Sequence, residues 1–99
     1  MLGISVMVET HPEFSQKYLE AARIQAKNSL TKEKGCLCFS VHTNKKDPNR
    51  FFLYEKYATK EDLVDIHSKT DYIAAYRELT EPWVKSKEII VWEALPDEK

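Results

Sequence analysis

Apolar and polar positions alternate from Leu2 to Glu9. Ile4, Val6 and Val8 fall on one side of an extended chain and Ser5, Met7 and Glu9 on the other, which predicts a first strand. Thr10, His11 and Pro12 break the alternation. Pro12 suits a first helical turn, and Thr10 with Glu13 has the spacing of a capping box, so a helix is expected from there to near Thr31. Its inner stripe reads Phe14, Tyr18, Ala21, Ala22, Gln25 and Ser29, with small residues that allow close packing on a sheet. After Gly35, Cys36 to Thr43 reads as a second strand in which Leu37, Phe39 and Val41 alternate with Cys38, Ser40 and His42. A polar turn, NKKDPNR, leads into a third strand, Arg50 to Tyr57, with Phe51, Leu53 and Tyr57 on one face and Phe52 and Tyr54 on the other. Thr59 and Asp62 are spaced to cap a further helix, along which Leu63, Ile66 and His67 share one face. Thr70 and Asp71 signal a second start. Tyr72, Tyr76, Leu79 and Trp83 then recur at helical spacing, and Pro82 helps end the segment. The last strand, Glu88 to Leu95, sets Ile89 and Val91 against Ile90 and Trp92.

The order is βαββαβ with a broken second helix, which predicts a ferredoxin-like α+β fold with an antiparallel sheet. Without repeats or linkers, residues 1–99 are expected to fold as a single domain. The helices cover one face of such a sheet. Strands apolar on both faces need cover on both, and in a chain this short the second cover is expected from another copy. The open faces of two sheets would then pack together in a homodimer.

Charge and composition narrow the partners. Fifteen Lys and Arg against sixteen Asp and Glu give a net charge of −1, with the signs interspersed. Nucleic acid and anionic membrane are therefore not expected as partners. The cations of the NKKDPNR turn read first as a solvated loop, with a phosphate-bearing ligand as the sharper alternative. The first strand carries no basic leader and alternates too regularly for a signal peptide, which places the chain in the cytoplasm as an expectation. Cys36 and Cys38, two apart in a strand, would share a face with parallel side chains, a poor geometry for a disulfide. Buried reduced thiols are the expectation. A redox role and a metal site with His42 as third ligand are weaker readings.

The run GCLCFSVHTNKKDPNRFFLYEKYATKEDLVDIHSKTDYIAAY resembles the core of the antibiotic biosynthesis monooxygenase domain. The elements that carry the resemblance are Gly35, Cys36 and Leu37, then Asp47, Pro48, Arg50 and Phe51, then Tyr54, Glu55 and Tyr57, and finally His67, Thr70 and Tyr72. It implies a dimeric α+β barrel and a small-molecule substrate. Relatives on this fold include monooxygenases that act on quinols and phenols without metal or flavin, haem-degrading enzymes, and isomerases of a phosphorylated autoinducer-2 signal. The haem-degrading branch fits least, because the first strand offers Ser5, Met7 and Glu9 where that branch has an asparagine, and the helix offers Tyr72 and Tyr76 where it has a histidine.

Oxygenation without a cofactor needs a base, a dry aromatic pocket and a polar group for developing charge. His67 is the candidate base and Glu55 its candidate partner. Tyr57, Tyr72, Tyr76, Trp83 and Phe39 are the candidate substrate-binding residues. Each has a plainer reading: His67 can lock the helix break, Glu55 can satisfy a buried donor, and the aromatic stripe can be core. An isomerase or tautomerase of a small carbonyl compound would use the same base, with Arg23 or the NKKDPNR turn holding a phosphate. A non-enzymatic dimeric binding module for a small ligand is the third reading.

Overall fold

The computed structural model describes residues 1–95. Four strands, β1 (Leu2–Thr10), β2 (Cys36–Thr43), β3 (Arg50–Tyr57) and β4 (Val84–Glu93), form one antiparallel sheet in the order β2-β3-β1-β4. Helix α1 (Ser15–Lys32) joins β1 to β2, and a broken helical segment ending in α2 (Asp71–Thr80) joins β3 to β4. This is the ferredoxin-like α+β fold expected from the element order. No helix is long and apolar enough to cross a membrane, among the described residues.

Register decides which side chains meet the helices. Ile4 lies opposite Glu55, Val6 opposite Leu53 and Val8 opposite Phe51, and all six are buried beneath α1 and α2. From α1 the inner stripe is Tyr18, Ala22, Gln25, Ala26 and Ser29. Burying such apolar area stabilises the fold by about 25 cal/mol per Å². The opposite sheet face is uncovered and carries Met7, Phe52, Ile90 and Trp92, all exposed.

Several local expectations change for identifiable reasons. Thr10 does not cap α1. Its backbone N–H bonds Asn49 O at 2.9 Å and that of His11 bonds Trp83 O at 3.0 Å, which hold this stretch to the sheet end, and a 3₁₀ turn at Pro12–Phe14 precedes the helix. The thiols do not share a face. A bulge between Cys36 and Cys38 pairs Cys36 with Tyr57 and Cys38 with Lys56, so Cys36 is buried under the helices, Cys38 turns towards the open face and Leu37 is exposed. The last strand begins at Val84 rather than Glu88 and ends at Glu93. Its early residues, VKSK, are held by pairing with β1, and since no helix covers β4 they show no buried face to be read.

Gly35 has a spatial role. Its φ is not positive, but a Cβ there would fall on the carboxylate of Asp62. That carboxylate accepts from the Thr59 backbone N–H at 3.1 Å while Asp62 N–H donates to Thr59 Oγ1 at 3.1 Å, a reciprocal cap. The missing side chain lets the start of the broken helix sit against the entry to β2.

Candidate active site

The cap at Thr59 launches a helical turn that does not continue as α-helix. Asp62–Ile66 forms a wide π turn, and His67–Lys69 tightens into a 3₁₀ turn. The change of pitch breaks the i, i+3, i+4 face expected for Leu63, Ile66 and His67. Ile66 is rotated out to solvent, whereas His67 is 3% exposed. Thr70 fixes the end of this break: its hydroxyl donates to His67 O at 3.0 Å and accepts from Ile73 N–H at 3.3 Å, capping α2.

His67 sits between two buried carboxylates. Nδ1 lies 3.1 and 3.2 Å from the two oxygens of Glu33, and Nε2 lies 3.8 Å from Glu55 Oε1. The Tyr72 hydroxyl also donates to Glu33. With Nδ1–H given to Glu33, the neutral ring leaves its Nε2 lone pair on the side of Glu55. Ser29 Oγ, which accepts from Gln25 Nε2 at 3.2 Å, stands 3.5 Å from Nδ1 and continues the polar line along α1. Glu55 in turn accepts from the Tyr57 hydroxyl at 2.7 Å. Burial raises the Glu55 carboxyl above the usual carboxylate range, partly offset by that hydrogen bond, by the neighbouring His67 and by the positive charge of Arg77.

A cavity of about 220 Å³ opens beside this pair, beneath α2 and the π turn. His67 and Glu55 stand among its lining with Phe39, Leu53, Tyr18 and Tyr76. The Tyr18 and Tyr76 hydroxyls are 2.7 Å apart. Burial pushes Tyr18 up to about 12, and burial with the Tyr18 contact raises Tyr76 further, so both stay protonated donors at neutral pH. The cavity exists because the helices lie over β1, β2 and β3. The helix-side residues of β4, Lys87, Ile89 and Val91, form a wall that stays exposed among the described residues.

The seven residues singled out from the sequence separate into three groups. His67, Glu55, Phe39 and Tyr76 line the cavity. Tyr57 and Tyr72 stand behind it, each holding a carboxylate that flanks the histidine. Trp83 lies elsewhere, stacked on Phe14 with ring centroids 6.0 Å apart. Arg23 faces the outer side of α1 and does not line the cavity. In the NKKDPNR turn, Arg50 is paired with Asp47 at 3.2 Å and Glu9 at 3.6 Å.

Sequence reasoning missed Glu33, and a signal for it was present. The buried stripe Tyr18, Ala22, Gln25, Ser29 steps on by four to Glu33, so the carboxylate continues the inner face one turn beyond Ser29, at the C-cap of α1. Arg77 and Lys87 were missed too, because a cation at the edge of a cavity has the same pattern as one on any solvated face.

Comparison with solved structures gives the same architecture. A protein of Nitrosomonas europaea named for antibiotic biosynthesis monooxygenase superposes with a TM-score of 0.89 at 25% identity, over 96% of this chain and 99% of that one. A similarly named protein of Bacteroides thetaiotaomicron reaches 0.89 at 23% identity, over 99% and 93% of the two chains, and so supports the fold alone. A Lactobacillus acidophilus protein named as a monooxygenase gives 0.85 at 29% identity, over 91% of this chain and 42% of that one. No curated protein matches the chain. The family model for antibiotic biosynthesis monooxygenase matches residues 1–79, from β1 through the His67 site and nearly to the end of α2. With its fold and most of its length accounted for in this way, the chain belongs to the antibiotic biosynthesis monooxygenase family.

Proposed function

We propose that the protein is a monooxygenase that oxidises a small phenol or quinol with molecular oxygen, using His67 as general base and no cofactor. The observation that carries this reading is the buried carboxylate, histidine, carboxylate array of Glu33, His67 and Glu55 opening onto an apolar cavity with tyrosine hydroxyls on its wall. Family membership supports the reaction class. His67 Nε2 takes the phenolic proton, and Glu33 stabilises the imidazolium that forms. The phenolate passes an electron to oxygen, and the ring radical and superoxide combine into a C–O bond. Loss of water from the resulting hydroperoxide, with removal of the ring hydrogen, leaves one oxygen atom in a quinone and the other in water. The hydrogen-bonded Tyr18–Tyr76 pair has one hydroxyl hydrogen left to donate to charge that develops away from the base. Glu55, whose carboxyl is raised above the usual range by burial, lies 3.8 Å from Nε2 and is placed to relay its proton.

Size limits the substrate. An apolar cavity of about 150 Å³ holds benzene, so about 220 Å³ suits one or two fused rings. The test uses chelator-treated protein and 1-naphthol under labelled dioxygen. One labelled oxygen in the quinone product and one oxygen consumed per substrate are expected. Conversion that proceeds without oxygen would replace this reading by an isomerase, and tight binding without turnover would replace it by a binding module.

We also propose that the working unit is a homodimer joined through the uncovered sheet face. Met7, Phe52, Ile90 and Trp92 form on that face an apolar surface of the kind that marks an interaction site. Phe52→Asp is expected to halve the mass measured by light scattering. An unchanged mass for the variant, or a monomeric parent protein, would remove the proposal.

A further inference from the structure

Arg77 and Lys87 line the same cavity at its solvent side. Arg77 comes from the last turn of α2, and Lys87 from β4, where it lies opposite Val8 in the register and so on the helix side of the sheet. Both are exposed, and among the described residues neither forms an ion pair, so each is available to an anionic group in the cavity. The cavity is therefore polar along its length: His67 and Glu55 stand at its buried end, Lys87 lies beyond Val6 and Ile89 along the strands, and Arg77 on α2 carries its charge near enough to act on Glu55. A neutral aromatic molecule would use only the inner end and the walls.

We infer that the substrate carries an anionic oxygen group, a carboxylate or a phosphate, at the end remote from the hydroxyl that His67 deprotonates. Arg77 and Lys87 bind that group at the mouth of the cavity. The inference rests on the monooxygenase reading for the identity of the reacting end, but it concerns the other end of the molecule. Charge-assisted bonds to such a group are stronger than neutral ones and orient the ring, since the anion keeps its hydration at the rim while the phenol is carried inward. Arg77 is suited to grip two oxygens at once, and Lys87 adds a point charge.

The experiment compares binding of 1-naphthol, 5-hydroxy-1-naphthoate and the matching 5-hydroxy-1-naphthyl phosphate to the full chain in the absence of oxygen. At least one anionic probe is expected to bind about tenfold or more tightly than 1-naphthol, and the tighter of the two names the acid group. The preference should shrink with added salt and disappear in the double variant Arg77→Gln, Lys87→Gln. Lys45→Gln, in the turn between β2 and β3, should leave it intact. Equal affinity for neutral and anionic probes in the parent protein, or a preference that survives the double variant, would overturn the inference. Because oxygen is excluded, failure of oxygen uptake in the earlier test leaves this binding result unaffected, and the two failures are distinguishable.

Discussion

Replacing His67 by glutamine should lower oxygen uptake on a phenolic substrate by about two to four orders of magnitude, the usual contribution of a positioned general base. The glutamine amide can still donate to Glu33, so that buried carboxylate keeps a hydrogen-bond partner. A deeper truncation such as His67→Ala would leave the Glu33 carboxylate with the Tyr72 hydroxyl as its side-chain partner among the described residues, and would confuse lost chemistry with lost stability. Initial rates from an oxygen electrode, read beside a thermal melt, separate the two. A loss of less than tenfold in a folded variant would remove His67 from the role of base.

The second large effect is expected at Glu33, which touches the imidazole and not the cavity. Glu33→Gln retains an oxygen that can accept from Nδ1–H but removes the negative charge opposite the imidazolium formed during proton transfer. Partners of this kind are worth about 10- to 100-fold in activity where they have been removed from metal-bound histidines, and a similar fall in kcat is expected. KM should hold, because Glu33 does not line the cavity. A raised KM with unchanged kcat would show that Glu33 shapes the pocket and does not position the base.

The fold and half of the site were legible in the sequence for the same reason. Strand alternation in β1 and β3 and the caps at Thr59 and Thr70 are local signals, and the structure keeps both caps. His67 and Glu55 could be paired on paper because β3 and the broken helix are neighbours in the chain. Glu33 belongs to a different connection, 34 residues before His67, and only the folded chain brings them together. The face of Leu63, Ile66 and His67 misled because helical periodicity assumes a uniform pitch. A π turn is set by tertiary packing and leaves no pattern in a single sequence. Leu37 and the cysteines failed similarly, since one bulge reverses the faces of every residue on its far side.

The π turn also has a genetic consequence. It holds one residue more than an α turn would, and each residue advances an α-helix by about 100°. Loss of a single codon between Asp62 and Ile66 would let the segment rewind at α pitch with little net rotation, because an α turn closes with one residue fewer, so the imidazole would still face the cavity. The extra residue can therefore be lost without removing the base from the site. Among relatives, the number of residues between the positions of Thr59 and Thr70 can accordingly differ by one around an unchanged site.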